Sequence, residues 1–182
     1  MADKPARDVN VNAVPQNLEA EQCLLGCILL DDNLAQELVP TLKAEDFYAP
    51  SHRILLSAMQ KVLNESKPID FVTVADALDR SGQLAAAGGI NYLTTLNTVV
   101  PSSANYRVYL KIVERNSVLR ALIRAGTSII EECRNSDDEE RSVAFAEKAV
   151  YDISDKKQSG DLTPVGESTG CLLYTSPSPR DT

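Results

Sequence analysis

Tryptophan is absent from this chain, phenylalanine occurs three times, and histidine occurs once, at position 52. A paucity of large aromatics beside abundant Leu, Ala and Ile disfavours sheet and favours helix. With a single imidazole, no Cys-His or Ser-His-Asp arrangement can be proposed with any specificity, because His52 would have to serve every such scheme. No run approaches the roughly 20 uninterrupted apolar residues of a membrane span, so no membrane association is expected. The first residues, Met1 to Asp8, lack the apolar core of a secretory signal, and the expected location is the cytoplasm. Basic residues are outnumbered, 18 Lys and Arg against 26 Asp and Glu, for a net charge of −8. Broad nonspecific adhesion to nucleic acid needs the opposite balance. No phosphate loop of the form G-x-x-x-x-G-K-[ST] occurs, so the segment has no visible means of holding ATP. Catalytic residues, bound cofactors and metal ligands are therefore not expected in this fragment.

What is present is a helical alphabet, with 43% apolar and 24% charged residues. The longest pattern runs from Pro101 to Lys157, without a proline after Pro101 and with one glycine, Gly126. From Tyr106 to Cys133 apolar residues recur at steps of three and four, which is one face of a long helix. A serine of Pro101-Ser102-Ser103-Ala104-Asn105 is expected to accept from the amides of its first turn. Asn135-Ser136-Asp137-Asp138 interrupts the pattern, and the Ser136/Glu139 spacing is that of a capping box opening a second helix. Val143, Ala146, Ala149, Val150 and Ile153 line the apolar side of that helix. Two amphipathic helices joined by a short polar turn make an antiparallel hairpin.

Before the hairpin, Pro15-Gln16-Asn17 introduces a helix with Glu19 and Glu21 in its first turn and Leu18, Cys23 or Leu25, Ile28 and Leu29 on its buried side. Gly26 in its middle costs roughly 0.5 to 1 kcal/mol against Ala, which suggests close approach of another helix. Shorter helices are expected over Leu34 to about Leu42, with Pro40 perturbing its end, from Pro50 to about Asn64, over Phe71 to Arg80 behind an Asp70 cap, and around Ile90 to Leu96. Without an alternating strand, the expected fold is all-α: a small helical head over residues 15–100 followed by a long antiparallel hairpin over 101–157. Residues 1–14 read as a flexible arm and 158–167 as the start of a linker. Residues 168–182 continue no helical period and look foreign to what precedes them, as a read-through of an adapter would.

Four cysteines, Cys23, Cys27, Cys133 and Cys171, make no disulfide framework in a chain with this N-terminus, and Cys23 and Cys27 read as small buried hydrophobes rather than metal ligands. His52 reads as a packed or capping residue. The acidic clusters Asp31-Asp32 and Asp137 to Glu140 read as helix caps and solvated ends. On the first hairpin helix, Arg107, Lys111 and Arg115 fall four apart, with Arg120 and Arg124 extending the stripe around the cylinder. A solvated face is one explanation; a contact surface for an acidic partner or a single strand is the other. The apolar stripe, with Tyr109, Ile112, Leu119, Ile123 and Ile130, is the expected site of self-association unless the head covers it.

Five ordered blocks carry a resemblance: Pro15-x-x-x-Glu19-Ala20-Glu21 with Leu25-Gly26, Asp46-Phe47-Tyr48 with His52, Pro68-Ile69-Asp70, Gly88-Gly89-x-x-Tyr92-Leu93, and Pro101-Ser102-x-Ala104-Asn105. In order and spacing they resemble the N-terminal domain of DnaB-type bacterial replicative DNA helicases, over about Val14 to Glu167. The resemblance implies a head and hairpin that pair into dimers, with three dimers closing a ring-shaped collar on a hexamer. It implies primase, met through the hairpin region, and a helicase loader as partners. ATP, Mg and most contact with single-stranded DNA would belong to the motor of the parent helicase. The family's pattern would continue from Gly166-Glu167 into a linker helix, yet Ser168 onward abandons it, so the chain reads as cut off before the motor and inactive alone. A free-standing helical adaptor and a single-strand-binding module stay open as alternatives.

Overall fold

The computed structural model describes residues 13–160, with side chains described to Lys156. The expectations for most of the N-terminal arm, for the linker after Gly160 and for the foreign-looking tail with Cys171 fall outside the described residues. The order is α1 (Leu18–Leu30), α2 (Asp32–Leu38), a 3₁₀ turn (Ala44–Asp46), α3 (Pro50–Asn64), α4 (Phe71–Arg80), α5 (Gly89–Thr98), α6 (Tyr106–Asn135) and α7 (Glu139–Gly160). Among the described residues there is no strand.

Local chemistry sets most of the ends. Asn17 accepts from the Ala20 amide at 2.9 Å and starts α1. Asp31 accepts from the Asn33 and Leu34 amides at 3.1 and 3.2 Å, closing α1 and opening α2 within one residue. Asp70 and Thr73 form a reciprocal capping box at the start of α4, at 2.9 and 3.0 Å. Helix α2 ends at Leu38, earlier than the expected Leu42, because Pro40 cannot continue it. The second hairpin helix is capped by Asp138, which accepts from the Arg141 amide at 3.1 Å. Ser136 instead closes α6 and accepts from the Asp138 amide, so the Ser136/Glu139 box does not form. Neither serine caps α6: the Ser103 hydroxyl donates to Asp31 at 2.9 Å, tying the start of α6 to the α1–α2 junction, and the Ser102 hydroxyl accepts from the Ala104 amide at 3.4 Å, ahead of the helix. Helix α7 runs to Gly160, three residues past the expected Lys157.

The head is organised around α1, which α2, α3, α5 and α6 surround. Nine of its residues are buried, including the run Cys23 to Leu29. A helix apolar on every side is one packed on every side, and the expected single buried face understates this. Leu18, placed on that face by its spacing, is exposed because it precedes the first enclosed turn. The core is completed by Phe47, Leu55, Leu56, Met59, Leu78, Leu93 and Leu96, all fully buried. Removing each such side chain from water contributes about 1.5–3 kcal/mol.

Helix α6 spans 30 residues, roughly 45 Å. Its N-terminal half lies on the head, where Val113 joins the core and Tyr106, Tyr109, Leu110 and Ile112 pack against it. Its C-terminal half pairs with α7. Arg141 meets Glu132 at 3.2 Å across the turn, and Lys156 at the far end of α7 meets Glu45 of the head at 3.4 Å. The hairpin is therefore antiparallel and returns toward the head.

Candidate interaction surface of the hairpin

On α6 the residues Val113, Asn116 and Arg120, spaced three and four apart, form the buried row that faces the head. Beyond Arg120 no described residue of α6 is buried. The half-buried positions there are Ala121, Ala125, Gly126, Ile129 and Glu132. Ala146, Ala149 and Ile153 are half-buried on α7. Mainly small residues where two helices pair let the axes approach but leave little width for the larger side chains.

Those larger side chains point to solvent. Ile123 is 50% and Ile130 53% exposed, and Leu119 and Leu122 are exposed with them. On α7, Val143, Phe145, Val150 and Tyr151 are exposed, Tyr151 at 68%. Val143 and Val150 thus depart from the expected inward face of α7, since Ala146, Ala149 and Ile153 suffice to meet α6. Of the five residues expected to join copies, Leu119, Ile123 and Ile130 are on this open surface. Tyr109 and Ile112 are not: they lie half-buried against the head.

The basic stripe also divides. Arg107, Lys111, Arg115 and Arg124 are exposed. Arg107 lies over the Tyr106 ring, 5.7 Å from its centroid, and its Nε donates to the Tyr106 hydroxyl at 3.1 Å. Arg120 does not belong to the surface. It is 4% exposed, and its guanidinium donates to the carbonyls of Pro15 at 2.9 Å, Asp46 at 2.7 Å and Glu45 at 3.3 Å. Burial pulls this guanidinium below its ordinary pKa. The five-residue step from Arg115 carries Arg120 well off the stripe, whereas the seven-residue step from Val113 puts it on the core row. That second spacing was the available signal.

Sequence reasoning missed a polar centre in the head. Glu21, expected only as a first-turn acid favourably placed against the positive end of α1, is 2% exposed. Its carboxylate accepts from the Tyr48 amide at 2.7 Å, the Ala49 amide at 3.3 Å and His52 Nδ1 at 2.6 Å. On the other side of the ring, His52 Nε2 lies 2.6 Å from the Tyr92 hydroxyl, which accepts from Gln22 at 3.0 Å. Because Glu21 can only accept, Nδ1 carries a proton. His52 is thus a packed residue joining α1, α3 and α5, as its position at a helix start suggested. Cys23 and Cys27 are buried, and desolvation pushes the Cys27 thiol up to about 11. Among the described residues no three His, Cys, Asp or Glu side chains cluster as metal ligands, and no helix is long and apolar enough to cross a membrane.

This architecture has counterparts. The chain is 40% identical over 147 residues to the replicative DNA helicase DnaB of Geobacillus stearothermophilus, covering 80% of this chain and 32% of that protein. It thus spans about a third of the length of that curated relative. It superposes on the crystal structure of the N-terminal domain of DnaB helicase from Mycobacterium tuberculosis with a TM-score of 0.71 at 36% identity, covering 78% of this chain and 99% of that domain. A DnaB-like replicative helicase, solved in a study of its interactions with primase, matches with a TM-score of 0.65 at 27% identity over 75% of this chain and 31% of that one. The family model for the DnaB-like helicase N-terminal domain matches residues 13–115, the head and the first turns of α6, and the chain belongs to that family.

Proposed function

We propose that this chain acts as the oligomerising collar of a replicative DNA helicase, with the hairpin as its assembly surface. The observation that carries the reading is the exposure of Leu119, Ile123 and Ile130 on a helix whose N-terminal half packs one face on the head. Apolar side chains exposed along an element built mostly of small inward residues are stabilised by a further surface. Arg107, Lys111, Arg115 and Arg124 lie outside the core and serve a partner, primase or a helicase loader, through acidic groups. Primase is favoured by the solved relative whose interactions with primase were studied. ATP, Mg and the main contacts with single-stranded DNA enter through the rest of a full-length helicase.

Light scattering tests the assembly. The parent chain should exceed monomer mass, and Ile123→Asp and Ile130→Asp should lower it. A monomeric parent, or variants that both keep the parental mass, would refute the collar reading. For the partner surface, charge reversal at Lys111 and Arg115 should weaken capture of purified primase while leaving the mass unchanged. Titration of labelled single strands at two salt concentrations separates the nucleic-acid alternative, since phosphate contacts weaken with salt. DNA-dependent ATP hydrolysis by the purified chain would contradict an inactive fragment.

A further inference from the structure

The segment Leu42–Ala49 carries almost no regular structure, yet its backbone is held by side chains from three helices. Gln60 of α3 donates to the Leu42 carbonyl at 3.0 Å and Arg53 of α3 to the Phe47 carbonyl at 2.8 Å. Glu21 of α1 accepts from the amides of Tyr48 and Ala49. Arg120 of α6 donates to the carbonyls of Glu45 and Asp46, and Ser117, one turn before it, donates to the Asp46 carboxylate at 2.7 Å. A buried anion holds the amide end of the loop and a buried cation holds its carbonyl end, with the Phe47 side chain fully buried between them. Hydrogen bonds to charged groups are the strong ones, and a buried charge that loses its partners is left unsolvated.

Position gives this grip its consequence. Arg120 is the last buried residue of α6, and beyond it, among the described residues, the helix pairs with α7. The same loop receives the end of α7, where Lys156 reaches Glu45. We propose that the Glu45–Ala49 loop is a latch setting the angle of the hairpin on the head, closed from the hairpin side by Arg120 and Ser117 and from the head side by Glu21. Opening requires withdrawal of the Arg120 guanidinium, which frees two loop carbonyls and the Pro15 carbonyl together, and release of the Ser117 hydroxyl from Asp46. The angle is then a property of each chain, whether or not its hairpin meets other copies.

Cys133 is exposed near the hairpin tip and Val72 is 70% exposed on α4 of the head, while Cys23 and Cys27 are buried. Nitroxides at Cys133 and at Val72→Cys, in the full chain with Cys171→Ser and diluted into unlabelled protein, report the head-to-hairpin distance by pulsed electron paramagnetic resonance. The parent should give one narrow distribution. Arg120→Met should broaden it or add a second distance, and should speed exchange of the Asp46 and Phe47 amides by about tenfold or more while circular dichroism keeps the helical content. A folded Arg120→Met chain with the parental distribution would overturn the latch, even if its melting temperature fell, because Arg120 would then stabilise without setting the angle. If Arg120→Met does not fold, Arg120→Lys decides. Its ammonium keeps the charge but cannot span three carbonyls, so a broadened distribution supports the latch and a parental one overturns it.

Discussion

Gly26 on α1 faces the backbone of α5 so closely that a Cβ at this position would stand 2.6 Å from the Leu96 carbonyl oxygen and 2.8 Å from Val99 Cγ1. The helical penalty of this glycine, expected from the sequence, is offset by the contact it permits between two helices. Gly26→Ala should therefore destabilise the head by about 1–3 kcal/mol despite the better helix propensity of alanine. Urea unfolding followed by circular dichroism reads this as a lower midpoint at unchanged slope. Gly126→Ala on α6 is the control, since a Cβ there meets nothing within 4 Å, and it should be neutral or slightly stabilising.

Replacing Glu21 by Gln should cost about 3 kcal/mol, because the amide group cannot accept from Tyr48, Ala49 and His52 together and turns a donor toward donors. Glu19→Gln, on the exposed side of the same turn, should stay within about 0.5 kcal/mol of the parent. Equal effects in the two variants would show that the buried carboxylate contributes no more than a solvated one.

Asp31 carries a pH signature. The Leu34 amide, then the Ser103 hydroxyl and the Asn33 amide, hold its carboxyl below the ordinary value of 3.8. A carboxyl depressed in the folded state stabilises fully above the unfolded value, and the contribution is lost as pH falls through the folded one. The urea midpoint of the parent should therefore fall more steeply below about pH 4 than that of Asp31→Asn, which keeps an accepting oxygen but no charge. Parallel curves for the two proteins would contradict the shift.

Thiol chemistry should separate the cysteines. In the native chain an alkylating reagent at neutral pH should modify Cys133 and spare Cys23 and Cys27, with peptide mass spectrometry as the readout; unfolding should expose all of them. Desolvation raises the Cys27 thiol from 9.0 to about 11, so its contribution to stability is fully present below 9.0 and is lost as pH rises toward 11. Cys27→Ala should flatten the alkaline limb of the stability profile.

Much of the fold was legible because it depends on residues within a few positions of one another. The helix start after Pro15-Gln16-Asn17, the caps Asp31 and Asp70, and the bounds of α3 and α4 follow from local hydrogen bonding and dihedral preference, whereas the helix expected to run on to about Leu42 stops short of Pro40. Where two local solutions competed, the pattern chose wrongly: Ser136 and Asp138 both fit a cap, and the structure uses Asp138. The candidate surface was legible only in part. Periodicity says which residues share a face, so Tyr109, Ile112, Ile123 and Ile130 looked alike, and Arg120 looked like its exposed neighbours.

The sequence by itself determined the all-α class, the head and hairpin, and the family to which the chain belongs. It also indicated that Gly26 has a close neighbour. Tertiary structure decided which faces are covered. Helix α1 ends surrounded, α6 is enclosed only as far as Arg120, and Leu119, Ile123 and Ile130 stay open because the head does not extend past that point. It also decided that two charged residues, Glu21 and Arg120, are buried on the same loop. A buried charge is tolerated only where partners distant in the chain meet it. Those partners lie 27 and 28 positions from Glu21, and 74, 75 and 105 from Arg120. No window of local pattern reaches that far.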